Sequence, residues 1–201
     1  MPEVTYALAK QGIFRTVQGE GQLLGLPMTF VRLAGCSVGC GVNCDTDYSR
    51  ATAQEIAAEV AQYKTQWTWV TGGEPADHDL APLLSNLRLW GKIAVATSGH
   101  KPLGSAGRMI DFLSVSPHSH ENWIIRRGSQ LNLVPGLGGL CLDKFFAENH
   151  PNNFRVPFGE RYLTPMFGSK ESLDECLKWL DKLPHGEWRL GVQAHRQWGL
   201  P

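Results

Sequence analysis

Residues 28–44 read MTFVRLAGCSVGCGVNC, an apolar run that leads directly into a loop with three cysteines. The run over 28–34 has the length and the β-branched and aromatic content of a buried strand. The loop carries Cys36, Cys40 and Cys44 within nine residues. This stretch therefore predicts a buried strand whose C-terminal end presents three thiols at one place.

Further apolar runs alternate with amphipathic segments along the rest of the chain. A capping box at Thr52-Ala-Gln-Glu55 predicts a helix to about Lys64, and Asp79 precedes a leucine stripe with helical spacing. Alternation of strands and helices favours a parallel sheet with the helices outside. Other strands are predicted at 67–71, 92–97, 110–115, 130–134, 161–164 and 187–192, and other helices at 140–149 and 170–183.

This order of elements predicts the fold class. We expect an α/β fold: a partial (open, reduced) β/α barrel of about six mostly parallel strands with helices outside, in a single domain over residues 1–201. A full eight-unit barrel needs about 250 residues, which is more than this chain has. In a barrel of this kind the active site lies beyond the C-terminal ends of the strands. Here those ends run into glycine-rich and polar segments.

Composition excludes several classes of protein. Hydrophobic residues make up 42% of the chain and charged residues 19%, which is typical of a folded globular protein. Nineteen basic residues balance nineteen acidic ones, and nucleic-acid binders usually carry a basic excess, so we expect no nucleic-acid partner. No apolar run approaches the roughly 18 residues of a membrane span, and the N-terminus does not resemble a secretory signal. We therefore expect a cytoplasmic protein without a membrane partner, with reduced cysteines.

The cysteine loop favours a metal centre over disulfides, because three of the five cysteines are crowded together. A cubane iron–sulfur cluster is usually held by four thiolates, so three thiolates leave one iron open to another ligand. The alternative is a structural zinc site, which normally has a fourth Cys or His at a recognisable spacing. Cys141 and Cys176 stand alone in the sequence, and a histidine elsewhere could complete a zinc site.

A second motif, Gly-Gly-Glu-Pro at 72–75, follows the next predicted strand. Together with the cysteine loop it resembles the radical S-adenosylmethionine (SAM) superfamily. The resemblance implies that the three cysteines hold a catalytic [4Fe–4S] cluster whose open iron binds SAM, and that Gly73 and Glu74 contact the SAM ammonium. Two features depart from the superfamily pattern. The spacing is CxxxCxxxC where CxxxCxxC is usual, and Asn43 stands before the last cysteine where an aromatic residue is common.

Motifs at both ends of the chain are similar to those of the 7-carboxy-7-deazaguanine synthases. They are FRTVQGEG at 14–21, FVRLAGC at 30–36, CDTDY at 44–48 and GVQAH at 191–195. This family converts 6-carboxy-5,6,7,8-tetrahydropterin to 7-carboxy-7-deazaguanine by ring contraction with loss of ammonia, in deazapurine (queuosine-type) biosynthesis. The resemblance implies SAM, a [4Fe–4S] cluster and Mg²⁺ as cofactors. It also implies a homodimer and a reducing partner such as flavodoxin or ferredoxin.

The resemblance assigns a substrate site, and the chemistry of the residues agrees with it. Gln18 and Glu20 can accept hydrogen bonds from the amino group and ring N–H of a pterin, and Arg32 offers a planar fork to its carboxylate. Arg32 stands in an otherwise apolar strand, where a charge is expected to be paired or functional. The implied substrate-binding residues are Val17, Gln18, Gly19, Glu20, Arg32, Thr71, His195 and Pro201, the last through its terminal carboxylate.

The resemblance also assigns sites for SAM and magnesium. Thr46 matches the family's magnesium-binding threonine, and a hard oxygen ligand suits Mg²⁺. Two residues depart from the family, since His118 stands where a lysine is common and Thr164 where a glutamine is common. The implied SAM-binding residues are Asn43, Asp45, Gly73, Glu74, Ser116, His118, Thr164 and Phe167.

Two alternatives remain open at this point. The first is another radical SAM enzyme, such as an activase that places a radical on a glycine of a partner protein. The second is a zinc-binding interaction module. Analysis for iron and sulfide separates the zinc module from the enzymes, and binding of the carboxylated pterin separates the two kinds of enzyme.

Overall fold

A computed structural model describes residues 4–39, 48–149 and 157–201. Within these residues nine strands form one sheet with helices packed against it. The strands are β1 (Thr5–Val17), β2 (Pro27–Leu33), β3 (Tyr48–Thr52), β4 (Trp67–Gly72), β5 (Lys92–Thr97), β6 (Phe112–Val115), β7 (Gly128–Leu133), β8 (Phe158–Leu163) and β9 (Arg189–Leu190). The α-helices are α1 (Ala53–Gln62), α2 (Leu80–Leu87), α3 (Leu142–Glu148), α4 (Lys170–Leu180) and α5 (Ala194–Trp198).

The sheet has the order β3-β1-β2-β4-β5-β6-β7-β8-β9. From β2 onward, neighbouring strands in this order pair in parallel. The predicted α/β class with a mostly parallel, open sheet is thus confirmed. All six of the main predicted strands are present, and the strand predicted at 187–192 shortens to the two residues of β9.

Contacts across the inside of the sheet show how strongly it curls. The backbone amide of Gln22, in the turn after β1, donates to the side-chain oxygen of Gln130 on β7 at 2.9 Å. In the sheet order β7 lies five strands from β1. Strands are about 4.8 Å apart, so in a flat sheet these two would be about 24 Å apart. A direct hydrogen bond across that span indicates a partial barrel.

Two antiparallel strands at one edge of the sheet are not predicted by the sequence pattern. β1 pairs with both β2 and β3 in antiparallel register. The pairing with β2 jumps from Leu8 opposite Leu33 to Ile13 opposite Val31, so β1 contains a bulge. A bulge breaks the two-residue period by which a strand is recognised in a sequence.

The two faces of the sheet bury different residues. On the outer face α1 and α2 cover one apolar cluster, and α3 and α4 cover a second that includes Phe145 and Phe146. On the inner face Met28 belongs to a smaller cluster with Trp69, against which Phe30 packs. Because side chains alternate along a strand, Arg32 lies on the same face as Met28 and Phe30. On the inner face, therefore, the polar side chain of Arg32 follows the apolar cluster of Met28, Phe30 and Trp69.

The leucine stripe of α2 provides a test of the packing. Leu87 is fully buried, whereas Leu89, just beyond the helix, is 77% exposed. Replacing a buried leucine with alanine removes apolar contacts and leaves a cavity, so Leu87→Ala should lower the free energy of unfolding by about 2–5 kcal/mol. Leu89→Ala is the matched control and should change it by less than about 0.5 kcal/mol. Equal melting temperatures for the two variants would contradict the structure.

Candidate active site

A cavity of about 400 Å³ lies on the inner face at the C-terminal ends of β2 and β4. In the pairing of these strands Arg32 stands directly opposite Thr71, so the sheet register itself brings the two together. The cavity is lined by Gln11, Phe14, Val17, Gln18, Gly19, Phe30, Arg32, Thr71, His195, Arg196, Leu200 and Pro201. Seven of the eight residues expected to bind substrate are in this set.

The eighth residue, Glu20, lies beside the cavity in a defined polar contact. One carboxylate oxygen accepts a hydrogen bond from the Gln193 amide at 2.9 Å, and the other accepts one from the Asn132 amide at 3.4 Å. The Nδ1 atom of His195, which lines the cavity, is 3.9 Å from Glu20. Gln193 and Asn132 thus hold the Glu20 carboxylate by hydrogen bonds, and the sequence-based site did not include them.

Asn132 also joins the two halves of the expected site. Its side-chain oxygen accepts a hydrogen bond from the Thr164 hydroxyl at 2.5 Å, while its amide group donates to Glu20. Thr164 is one of the residues expected to bind SAM, and Glu20 is one of those expected to bind substrate. A polar residue buried within a strand is the signal in the sequence that could have identified Asn132.

Gln18 carries an unpaired polar group into the cavity wall. Its side chain is only 5% exposed, and its carbonyl oxygen accepts the backbone amide of Glu20 at 3.1 Å. Among the residues that the structure describes, its buried Nε2 atom has no hydrogen-bond partner. Such a group costs about 1–3 kcal/mol if it stays unpaired, so it suits a ligand with an acceptor at this place.

Close approach of two chain segments fixes the Gln-Gly-Glu turn. A Cβ atom on Gly19 would lie 2.4 Å from Nδ1 of His195, so only glycine fits there without displacement. The backbone amide of Ala194 donates to the carbonyl of Gly19 at 2.9 Å. The start of α5 therefore docks directly on the turn and brings His195 to the cavity.

A second cavity of about 280 Å³ lies beside the cysteine loop. Ser37 and Val38, which follow Cys36, line it together with Ser98, His100 and His118. Cys36 itself is half-buried. Nδ1 of His118 is buried without a partner among the described residues. The lining of the cavity thus includes hydroxyl groups and imidazoles, a polar set suited to a charged cofactor, and it begins one residue after Cys36.

Glu74 is buried beneath this cavity and is fully hydrogen-bonded. It is 1% exposed, and its oxygens accept from the Thr97 hydroxyl at 2.6 Å, the Ser98 hydroxyl at 2.6 Å and amide at 2.8 Å, and the Ala76 amide at 2.9 Å. A charge can be buried when it is satisfied in this way. The carboxylate therefore holds the loop after β5 in place, and a contact between Glu74 and the SAM ammonium stays a prediction.

A polar network, which the sequence did not indicate, holds the start of the cysteine loop. The Ser37 amide and hydroxyl both donate to the carboxylate of Asp77 at 2.7 Å, and the hydroxyl lies 3.0 Å from Nε2 of His100. Lys101 also pairs with Asp77. Although burial opposes ionisation of Asp77, the hydrogen bonds from Lys101 and Ser37 hold the pKa of its carboxyl below the usual value. The Asp77 carboxylate therefore stays charged at neutral pH.

The other expected cofactor residues are distributed as follows. His118 lines the second cavity, and the Ser116 amide donates to the Thr97 carbonyl at 2.8 Å. Phe167 is exposed and lines a third cavity of about 380 Å³ beyond β8, so the structure does not bring it together with His118. Among the described residues no three His, Cys, Asp or Glu side chains could hold a metal ion. Cys40, Asn43, Cys44, Asp45 and Thr46 lie outside the described residues.

The sequence was compared with those of known proteins. No family model matches the sequence. The chain is 31% identical over 98% of its length to the 7-carboxy-7-deazaguanine synthase of Caulobacter vibrioides, with 100% of that protein covered. The corresponding enzyme of Bradyrhizobium diazoefficiens gives the same three values. The Synechocystis enzyme is 28% identical, over 98% of this chain and 94% of that protein.

A solved structure supports the fold. The crystal structure of QueE from Escherichia coli matches with a TM-score of 0.71 and covers 95% of each chain. The sequence identity is 22%, so this likeness concerns the architecture alone. In the part of the chain that the structure describes, no helix is both long enough and apolar enough to cross a membrane.

Burial of His118 predicts a dependence of stability on pH. Burial lowers the pKa of His118, the charge of Glu74 opposes this shift, and His100 adds to it. In the unfolded chain a histidine titrates near its ordinary pKa of about 6.5. Below that pH the unfolded state binds a proton that the folded state resists, so stability is fully present above about pH 6.5 and is lost as the pH falls.

His118→Gln should therefore flatten the fall in melting temperature between about pH 6.5 and about pH 5. The lowered pKa of Asp77 acts only below about pH 4 and does not interfere. His185→Gln is the control, since His185 is exposed. The same slope in wild type and His118→Gln would contradict this interpretation.

Proposed function

The chain belongs to the 7-carboxy-7-deazaguanine synthase family, and we propose that it carries out the reaction from which the family takes its name. As a radical SAM enzyme it converts 6-carboxy-5,6,7,8-tetrahydropterin to 7-carboxy-7-deazaguanine, with loss of ammonia. The observation that carries the proposal is the cavity that gathers Gln18, Arg32, Thr71 and His195 at one end of the barrel. Its volume falls within the roughly 300–1,000 Å³ of small-molecule sites.

Recognition of the pterin ring is assigned to the Gln-Gly-Glu turn. A pterin carries donor groups side by side with acceptors, and the turn offers both kinds. The unpaired Nε2 of Gln18 donates to a ring acceptor, and the Glu20 carboxylate accepts from the ring amino group. Gln193 and Asn132 hold that carboxylate in place by hydrogen bonds, which limits its rotation before substrate arrives.

The substrate carboxylate is assigned to Arg32. A guanidinium can form two parallel hydrogen bonds with a carboxylate, which fixes orientation as well as position. Phe30 lies on the same face of β2 and lines the same cavity, so the ring system would rest against an apolar wall. Thr71, in register with Arg32, offers a hydroxyl at the same level. Together these groups place the ring relative to the cysteine loop.

The cofactors of the proposed reaction are a [4Fe–4S] cluster and SAM, which when bound supply the radical that starts the ring contraction. Cys36, Cys40 and Cys44 would hold the cluster. The second cavity, with Ser98 and His118, is the proposed place of SAM. The buried, unpaired Nδ1 of His118 supports a fit, because a bound group could satisfy it.

Magnesium, oligomeric state and the electron donor complete the proposal. Thr46 would contribute an oxygen to Mg²⁺, which prefers such ligands. The enzyme is proposed to be a cytoplasmic homodimer that receives electrons from a flavodoxin or ferredoxin. A glycyl-radical activase and a zinc-binding module account less well for a family relationship that extends over 98% of the chain.

The cluster provides the first test of the function. Cys36→Ala should abolish cluster assembly and SAM cleavage, because two thiolates do not hold a cubane cluster. The matched control is Cys141→Ala, a half-buried cysteine at the start of α3. Cys176 should also be dispensable, since burial, followed by the nearby charge of Glu175, raises the pKa of its thiol to about 12.

Iron content, acid-labile sulfide and visible absorbance of anaerobically reconstituted protein are the measurements for the cysteine variants. Full iron content in the Cys36→Ala variant would refute the cluster assignment. One zinc per chain in colourless wild-type protein would instead favour the zinc-binding module.

The pterin site provides the second test. Loss of a charged hydrogen-bond partner costs about 1.5–3 kcal/mol, so Glu20→Ala and Arg32→Ala should each weaken pterin binding roughly ten- to a hundred-fold. Iron content should not change in either variant. The controls are Glu59→Ala and Arg15→Ala, which remove exposed charges away from the cavity. Wild-type affinity by calorimetry in both Glu20→Ala and Arg32→Ala would show that the substrate binds elsewhere.

A further inference from the structure

The bulge in β1 has an unusual place in the sheet. Four residues of β1, from Ala9 to Gly12, separate two paired positions, whereas on β2 only Arg32 separates the corresponding two. The extra residues of β1 therefore lie opposite Arg32, the one charged residue of β2. Bulges are common beside active sites, where they redirect a side chain.

Gln11 lies within this bulge in a strained backbone conformation. Its φ angle is +54°, in the left-handed region that is unfavourable for a residue with a side chain. Gly12 follows directly but has no positive φ angle. Glycine is required at position 12 for a steric reason and not for its φ angle, because a Cβ atom there would lie 2.6 Å from Cβ of Leu8. The strained conformation thus falls on a residue with a side chain although a glycine stands beside it.

The strained residue also faces the proposed substrate. Gln11 lines the 400 Å³ cavity together with Arg32, and its side chain is exposed at the cavity mouth. None of the described residues forms a hydrogen bond with its amide group. Strain that persists at a cavity wall, on a side chain without a structural partner, points to a role in binding.

We infer that Gln11 is a specificity-determining residue, whose amide donates a hydrogen bond to the substrate carboxylate beside Arg32. This inference rests on the proposed function, since it requires the carboxylated pterin in this cavity. The amide NH₂ group is a donor, and it can bind a carboxylate oxygen that Arg32 leaves unsatisfied. The contact would favour a pterin with a carboxylate over one without it.

Glycine substitution separates binding from structure at this position. Gln11→Gly removes the side chain but keeps the left-handed backbone, which glycine adopts without strain. The matched control is Lys64→Gly, because Lys64 is the other non-glycine residue with a positive φ among those described, at +53°, and does not line the cavity. Neither substitution should lower the melting temperature. Gln11→Glu is a third variant, which keeps the size of the side chain and adds a negative charge.

The experiment is calorimetric titration of anaerobically reconstituted protein in the presence of SAM. Two ligands are compared: the carboxylated tetrahydropterin, and a tetrahydropterin with a methyl group in place of the carboxylate. Gln11→Gly should bind the carboxylated ligand roughly tenfold more weakly than wild type, because one hydrogen bond to a charged group is lost. Gln11→Glu should bind it more weakly still, because like charges repel. Both variants should bind the methyl ligand as wild type does, and Lys64→Gly should bind both ligands as wild type does.

The outcomes distinguish the inference from the function on which it rests. If wild type binds the carboxylated pterin and both Gln11 variants bind it equally well, the role of Gln11 is wrong and the proposed function stands. Equal weakening of binding for both ligands would also overturn the inference, because Gln11 would then not distinguish a ligand with a carboxylate from one without it. If wild type does not bind the carboxylated pterin at all, the proposed function fails and the inference fails with it.

Discussion

The active-site end of the barrel depends on a backbone-to-backbone contact between the ends of β2 and β4. The amide of Gly73 donates to the carbonyl of Leu33 at 2.8 Å, and the amide of Glu74 donates to the carbonyl of Gly35 at 3.0 Å. A Cβ atom on Gly73 would lie 1.9 Å from the carbonyl oxygen of Gly35, so only glycine permits this approach. These two hydrogen bonds therefore fix the backbone of Leu33 and Gly35, immediately before Cys36.

The carboxyl groups of Glu74 and Asp77 connect this contact to the neighbouring loops. A buried carboxyl group needs hydrogen-bond partners, and the partners Thr97 and Ser98 of Glu74 come from the end of β5. One turn later Asp77 binds Ser37 of the cysteine loop. Two carboxylates thus tie together the loops after β2, β4 and β5. Fixed dipoles and charges of this kind are what a site needs when it must hold a charged cofactor without rearrangement.

The sequence predicts the fold and the site to different extents. The parallel strands β2, β4 and β5 are recognisable because each is rich in apolar and β-branched residues. The leucine stripe of α2 is confirmed by the burial of Leu83 and Leu87. β1 is not recognisable because its bulge interrupts the alternation, and β3 because it is stabilised by pairing with that same distant strand. Gln11 and Asn132 were missed for a related reason. A polar residue within a strand marks Asn132 as unusual, but the places of both residues beside the site follow from strand register and sheet curl, which no local pattern encodes.

Segments near the two ends of the chain line the 400 Å³ cavity together. Gly19 and Gln18 come from the turn after β1, and His195 comes from α5, which has only five residues. A helix of that length is not stable alone, so its order derives from contacts such as that of Gln193 with Glu20, 173 residues away in the sequence. A ligand that contacts both ends binds only the docked arrangement. By thermodynamic linkage, such a ligand would favour docking of α5 by the same free energy with which docking favours the ligand. In this open barrel the last helix thus covers the end of the sheet where the cavity lies.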